Sequence, residues 1–540
     1  MQVTRTENDI DNLINRPSWC WSFYQPTSNG VTRDSSAGSS RIENAFPLSF
    51  EPFPGPAKSD VLPKNDSLYT DLFIYAMYHQ YRIGCLVISR RGSMTVIKCD
   101  TTELEPNKAI NIVPEEDMRL IQAEKICSGK GAIEFRWLPT PGYYFIIQGE
   151  DQNITVGDAV LKGNGIGAID VTVRWIKNER GNLICEGPLR AQVRYGDETG
   201  EIEKLCFCLP NFGIDPEAPL IISYKNWEVL LRRFENISSL FEKLDKEGGY
   251  AFTYKCCIRY NGGSPFTWDQ AKFLIGPLRM FLSFVRGAMC SPLFPVGVKA
   301  GAEGENDILV FAIHPNSLLP PAWALSRWQG LPNWCDQHSQ QDLSDAFTRF
   351  MDLYTMGKLA SPYDYVDVFD HLAAIIYMYV EAGLTSFGET TIMLTQSALE
   401  SLAYMQAEKC LDKISFSSFD DDRAENKIRW MLNKLHIPTD IPPEAKELQD
   451  YLNGKSLEAP LDGVKGITYF RNGIIHANTK FLKRTFGTSA DLAPSEKAME
   501  KAIILGRMYI ELAVLHMLNY KGMYTDRFTK NTRQVDMALS

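Results

Sequence analysis

Residues 168–210 read AIDVTVRWIKNERGNLICEGPLRAQVRYGDETGEIEKLCFCLP. Val171, Val173 and Trp175 alternate with polar residues, Arg180-Gly181-Asn182 breaks the run, and a second apolar stretch follows. Asp197-Glu198-Thr199-Gly200 marks another hairpin turn. Period-two alternation interrupted by Gly, Asn and Asp is the pattern of short strands that bury one face. The pattern extends over residues 68–220 and predicts a sandwich- or barrel-like β domain across residues 61–223.

Working outward, residues 1–60 contain the Ser-, Gly- and Pro-rich runs PTSNGVTRDSSAGSS and FPLSFEPFPGPAKS, which predict an extended arm, docked in part through Phe46, Phe50 and Phe53. Residues 224–340 mix signals. Asn226 to Lys246 has helical spacing, a strand is expected over 250–260, and a helix opens near Ser264-Pro265-Phe266-Thr267 and runs through LIGPLRMFLSFVRGAM. Pro277 is expected to kink or break that helix, and 307–314 reads as a further strand. Residues 341–540 are almost wholly helical, with candidates at 344–356, 365–383, 389–411, 423–435, 445–452, across Arg471, and at 495–520. The fold class is therefore α+β and multidomain: a β-rich N-terminal domain, a mixed α/β middle region and an all-α C-terminal bundle.

Composition is that of an ordinary globular chain, 44% hydrophobic and 23% charged over 540 residues. The start, MQVTRTENDIDN, lacks an apolar signal core. The most apolar stretch, 502–518, is interrupted by Arg507 and Glu511, which a bilayer would penalise. A cytoplasmic protein with no membrane association is the expectation. The twelve cysteines lack zinc-site spacing, and the close pairs Cys206/Cys208 and Cys256/Cys257 read as reduced structural thiols. No metal or other cofactor is expected. Net charge is −10, but from Leu461 onward twelve Lys/Arg stand against seven Asp/Glu, leaving +5 there and −15 on the remainder. That basic segment is either a phosphate-attracting surface or a solvated helix face.

Several phosphate- or nucleophile-like glycine motifs fail. Gly163-Asn164-Gly165-Ile166-Gly167 precedes a strand rather than a helix. Gly454-Lys455-Ser456 and Gly129-Lys130 lack the first glycine of a phosphate loop, and Ser264 lacks the second glycine of a nucleophile elbow. All are read as turns or loops. Asp420-Asp421-Asp422 is read as a solvated linker, and His371, His436 and His516 as packed histidines.

The segment GITYFRNGIIHAN, residues 466–478, is different. On a helix Asn472 and His476 are four apart and share a face. Arg471 is rotated away, yet its long side chain can reach the same phosphate. Ile467, Phe470, Ile474 and Ile475 supply packing positions, so the polar trio need not serve the core. Gly473 signals a close backbone approach or a helix end.

An Arg with a polar residue directly after it, and a His after four intervening residues, resembles the signature of the HEPN superfamily. Leu432–Lys446, Leu461-Asp462-Gly463 and the RNGIIHAN segment look like the C-terminal HEPN domain of ApeA-like anti-phage proteins, and the stretch Ala398–Leu402 looks like their acidic helix. The resemblance covers about residues 365–518. It implies metal-independent RNA cleavage by the RNA's own 2′-hydroxyl at a homodimer interface, in an abortive-infection defence. His476 would move protons, Arg471 would hold the phosphate, and Asn472 would orient the imidazole or bind a phosphate oxygen. Glu400 would partner Arg471 or His476. The alternatives are an Arg471 that only pairs with Glu400 or Asp462, and a catalytically inert HEPN interaction protein. The N-terminal region is expected to sense a phage-derived trigger or to restrain the ribonuclease. An RNA-binding platform is the competing reading, and deletion of residues 1–335 would separate the two.

Overall fold

In a computed structural model, the described residues span 105–534, apart from 139–140, 151–152, 164–167, 180–181, 191–192, 197–199, 214–218, 235–236, 262, 300–307, 314–339, 360–367, 386, 411–412, 476–491 and 530. The expected arm over 1–60 lies outside them, as do most residues of the Gly163–Gly167 motif and of the two hairpin turns read from 168–210.

The alternating segments form antiparallel strands: β1 (Ile110–Gln122), β2 (Lys125–Arg136), β3 (Gly142–Glu150), β4 (Gly157–Gly163), β5 (Ile169–Val173), β6 (Trp175–Glu179) and β7 (Asn182–Pro188). They build a seven-stranded sheet in the order β5-β4-β1-β2-β3-β7-β6. The sheet curls until β5 meets the far side: Val171 bridges Leu189, and Arg174 donates its backbone N–H to Glu186 at 2.9 Å. At this seam Gly187 is required, because a Cβ there would lie 1.7 Å from the Thr172 carbonyl oxygen. The inward residues Leu120, Phe135, Phe145, Ile147 and Val173 are fully buried. Gly129 and Lys130, expected in a turn, sit inside β2, where Gly129 pairs with Gly149.

The second sheet comprises β8 (Val193–Gly196), β9 (Glu201–Pro210), β10 (Leu220–Tyr224), β11 (Trp227–Arg233), β12 (Phe252–Tyr260), β13 (Phe266–Thr267), β14 (Leu293–Lys299) and β15 (Ile308–Ile313). Its order is β10-β11-β12-β9-β14-β15-β8, with β13 also on β9. Here the helical reading of Asn226 onward is corrected. Val229 and Leu231 point into the core with period two, and Tyr224 pairs with Trp227 across a tight turn. The helix α1 (Ile237–Glu247) starts only afterwards. Helix α2 (Trp268–Arg286) opens with a capping box between Thr267 and Gln270 and ends at Gly287, whose φ of 67° is the left-handed cap. Pro277 lies inside α2 without ending it. A hairpin, β10–β11, straddles the expected 223/224 boundary.

Helices follow: α3 (Gln340–Leu359), α4 (Val368–Leu384), α5 (Gly388–Cys410), α6 (Lys413–Asp420), α7 (Ala424–Lys434), α8 (Lys446–Asn453), α9 (Gly463–Ile475) and α10 (Leu492–Met517), then a small hairpin of β16 (Met523–Thr525) and β17 (Thr532–Gln534). Helix α3 covers edge strand β10 through hydroxyls: Ser344 accepts the Ser223 N–H and donates to the Ile221 carbonyl, and Thr348 donates to the Ser223 carbonyl. That satisfies an otherwise open edge. The second sheet, α2 and the C-terminal helices share one hydrophobic core that runs from Ile202 to Tyr524, with Phe281, Phe347 and Phe350 at the junction. Residue 340 therefore separates element types and not cores. The first sheet has its own core, joined to the second sheet through Phe252 and Phe294. The layout is α+β. Among the described residues, no helix is long and apolar enough to cross a membrane.

Candidate active site

Helix α9 carries Arg471 and Asn472, and its N-terminal half is anchored first. Asp462, 5% exposed, caps the helix by accepting the Lys465 N–H at 2.8 Å. Arg429 grips both Asp462 oxygens, at 2.7 and 3.2 Å, and reaches Glu425 at 2.9 Å. Lys465 closes the ring on Glu425 at 3.2 Å. Asp462 is thus the partner of Arg429. Val464, Ile467, Phe470 and Gly473 face the core. Gly506 of α10 lets α5, α9 and α10 meet, since a Cβ there would lie 2.4 Å from Thr395 Cγ2 and 3.2 Å from Ile467 Cδ1.

On the other face, Arg471 and Asn472 are half-buried and Ile475 is 46% exposed. Arg471 Nη1 donates to Asn472 Oδ1 at 3.2 Å, so one donor of the guanidinium fork engages the amide. His476, the third member of the motif, lies outside the described residues. Glu400 of α5 is half-buried, and burial pushes its carboxyl above the ordinary value, opposed by Lys427 and Arg471. Glu400 and Arg471 are therefore electrostatic neighbours. Lys427, 5% exposed, donates to the Tyr404 hydroxyl at 2.6 Å, and Tyr404 donates to Asp420 at 2.7 Å. Burial, with Asp420 and Glu400 adding to it, pushes the Tyr404 phenol upward. Asp420 is accordingly more than a solvated linker acid. His436 is exposed, not packed: with φ of 57° it carries the chain out of α7.

A second charged cluster lies in the core beneath α10. Glu511, 0% exposed, receives Arg527 Nε on both oxygens at 2.8 Å and Tyr524 at 3.1 Å, with Tyr379 also donating to it. Arg507 lies over the Tyr379 ring, 5.2 Å from its centroid. Burial, then the nearby Arg527, lowers the Arg507 pKa. Sequence reading noted Arg507 and Glu511 only as interruptions of an apolar stretch. Their i, i+4 spacing inside it was the available signal, whereas Tyr379 and Arg527 are distant in the chain and reach them only through the fold.

Among the described residues, no group of three or more His, Cys, Asp or Glu is placed to hold a metal ion. The Arg471–Asn472 pair offers a cation and an amide at a helix end, suited to orienting a phosphate.

Comparison with known families gives two partial matches. The model of the YopA central domain matches residues 215–306, which run from β10 through β14. That of the YopA C-terminal domain matches residues 366–537, which take in α4 through β17 and so both charged clusters. Neither description names the HEPN superfamily. No curated protein and no solved structure matches the chain.

Proposed function

We propose that the helical region, residues 341–540, is a HEPN-type domain acting as a metal-independent endoribonuclease, regulated and used in anti-phage defence. The observation that carries this reading is the Arg471–Asn472 pair. It is joined at 3.2 Å on the outer face of a helix whose inner face is locked into the core, five and four residues before His476. In the proposed reaction the RNA 2′-hydroxyl attacks the adjacent phosphorus and expels the 5′-oxygen. His476 transfers the proton, Arg471 neutralises the more negative phosphorane, and Asn472 orients the imidazole or a phosphate oxygen. Glu400 positions Arg471 electrostatically.

The reading includes a homodimer in the cytoplasm, with two copies of α9 facing each other across a two-fold axis. Exposed Ile475, one turn beyond Arg471, supplies an apolar contact for such an interface. The N-terminal sheets act as sensor or restraint for a phage-derived trigger. Because the second sheet shares its core with the helices, deleting residues 1–335 would strip that core, so point substitutions are the sounder probe.

A second reading, a catalytically inert HEPN interaction protein, is favoured by the apolar exposure of Ile475 and of Phe387, which is 68% exposed. Incubating the full-length chain with a broad RNA panel in EDTA, beside its His476→Ala variant, separates the two. Cleavage by the wild type that falls about 100-fold or more in the variant supports the ribonuclease. No cleavage by protein confirmed as a dimer supports the inert module.

A further inference from the structure

Strand pairing sets Cys206 of β9 directly opposite Cys257 of β12. Both side chains are half-buried on one face of the second sheet, while Leu205, Phe207, Cys256 and Ile258 between them fill the opposite face and are buried at 0–1% exposure. Opposed residues in antiparallel strands have Cα atoms about 4.5–5.5 Å apart, inside the roughly 4.4–6.8 Å that a disulfide requires. Neither thiol is in a disulfide in this structure. The next row on the same face is cationic, with Arg259 opposite Lys204. The flanking strands place Leu230 beside Cys257 and Val296 beside Cys206, and Glu228 beside Arg259. Contact with the Cys206 side chain, helped by Arg259 and Lys204 against the effect of burial, brings the Cys257 thiol down to about 7. Arg259 is offset by Glu228 across the strand and by Glu203.

We propose that Cys206 and Cys257 are a hydroperoxide-reactive thiol pair that closes a cross-strand disulfide between β9 and β12. The Cys257 thiolate attacks the terminal peroxide oxygen, breaking the O–O bond; the departing alkoxide or hydroxide takes a proton from water, leaving Cys257 as a sulfenic acid. The Cys206 sulfur then attacks the Cys257 sulfur, the S–O bond breaks, and the hydroxyl leaves with the Cys206 proton as water. The peroxide is reduced by two electrons and the two thiols are oxidised by two. The arrangement depends on strand register: adjacent Cys256 and Cys257 point to opposite faces, and Cys206 and Cys208 share a face of β9, but it is Cys257 that stands directly opposite Cys206.

The test uses the reduced full-length chain treated with hydrogen peroxide, quenched with a maleimide and mapped by peptide mass spectrometry. A Cys206–Cys257 linked peptide is expected, with exposed Cys410 still alkylated. In unoxidised wild-type protein, iodoacetamide labelling of Cys257 against pH should be half-maximal near about 7, below the roughly 8.5 of an ordinary thiol. Cys206→Ser should trap the Cys257 sulfenic acid as a dimedone adduct. Oxidised wild-type protein in which both thiols still alkylate, or a Cys257 labelling midpoint at 8.5 or higher, overturns the proposal. Both wild-type readouts stand even if the variant does not fold.

Discussion

The helical region holds two charged clusters that teach opposite lessons. Beneath α10, the Glu511 carboxylate is fully buried, and both of its oxygens accept hydrogen bonds from Arg527 and the phenols of Tyr379 and Tyr524. At the end of α9, Arg471 is half-buried and spends one donor on Asn472. A desolvated carboxylate whose oxygens are filled by its own fold has no capacity left for a ligand, and removing one partner strands the others. Among the described residues Arg471 hydrogen-bonds Asn472 alone, which under the proposed function leaves the rest of its donor fork for a phosphate. The Glu511 carboxylate is thus closed by its own fold, while Arg507 beside it keeps Nε and Nη2 buried without a hydrogen-bond partner among the described residues.

The largest effect should come from breaking the closed cluster. Glu511→Ala leaves Arg527 and Arg507 buried without their anion, and about 3–5 kcal/mol of stability should be lost, read by urea denaturation of the full-length chain. A loss below 1 kcal/mol would erase the distinction drawn between the clusters. Next comes the packing beneath the open site. Gly506→Ala places a Cβ 2.4 Å from Thr395 Cγ2. Overpacking costs about 1–3 kcal/mol, offset by about 1 kcal/mol of helix propensity, so a net loss of up to about 2 kcal/mol should appear in the same assay.

A subtler effect is the pH response of Glu400. Burial holds its carboxyl above the ordinary value, so the folded state keeps a proton that the unfolded chain releases above roughly 4.3. Stability from this group is full below that value and is lost as pH rises through the raised folded value. Glu400→Gln, neutral throughout, should therefore gain stability relative to wild type as pH climbs through that window. A flat difference would mean that Glu400 is not held as described.

The helices of the C-terminal region were legible because apolar residues recur at helical spacing over long runs. The expected 389–411 is observed as Gly388–Cys410, and 423–435 as Ala424–Lys434. Strand β11 was misread because Trp227, Leu230, Leu231 and Phe234 satisfy a helical pattern as well, and pairing with β10 and β12 decides the matter. Helix α6 was missed because KISFSSFD is short and rich in serine, a poor helix former alone. At the site, Glu400 was named only through the family resemblance, while the adjacency of Arg471 and Asn472 could be anticipated from local pattern. The Arg429–Asp462 clamp and the Glu511–Arg527 pair could not, since each joins residues from separate elements.

Under the proposed function, the Arg471 cluster does chemistry while the Glu511 cluster holds the fold. The most direct test is RNA cleavage by Arg471→Ala at a folded fraction matched to wild type by urea titration. The account predicts a loss of about 100-fold or more in rate, the order expected when a phosphate-stabilising donor is removed, with stability changed by no more than about 0.5 kcal/mol. Cleavage at the wild-type rate, or a loss that follows the folded fraction alone, would contradict it.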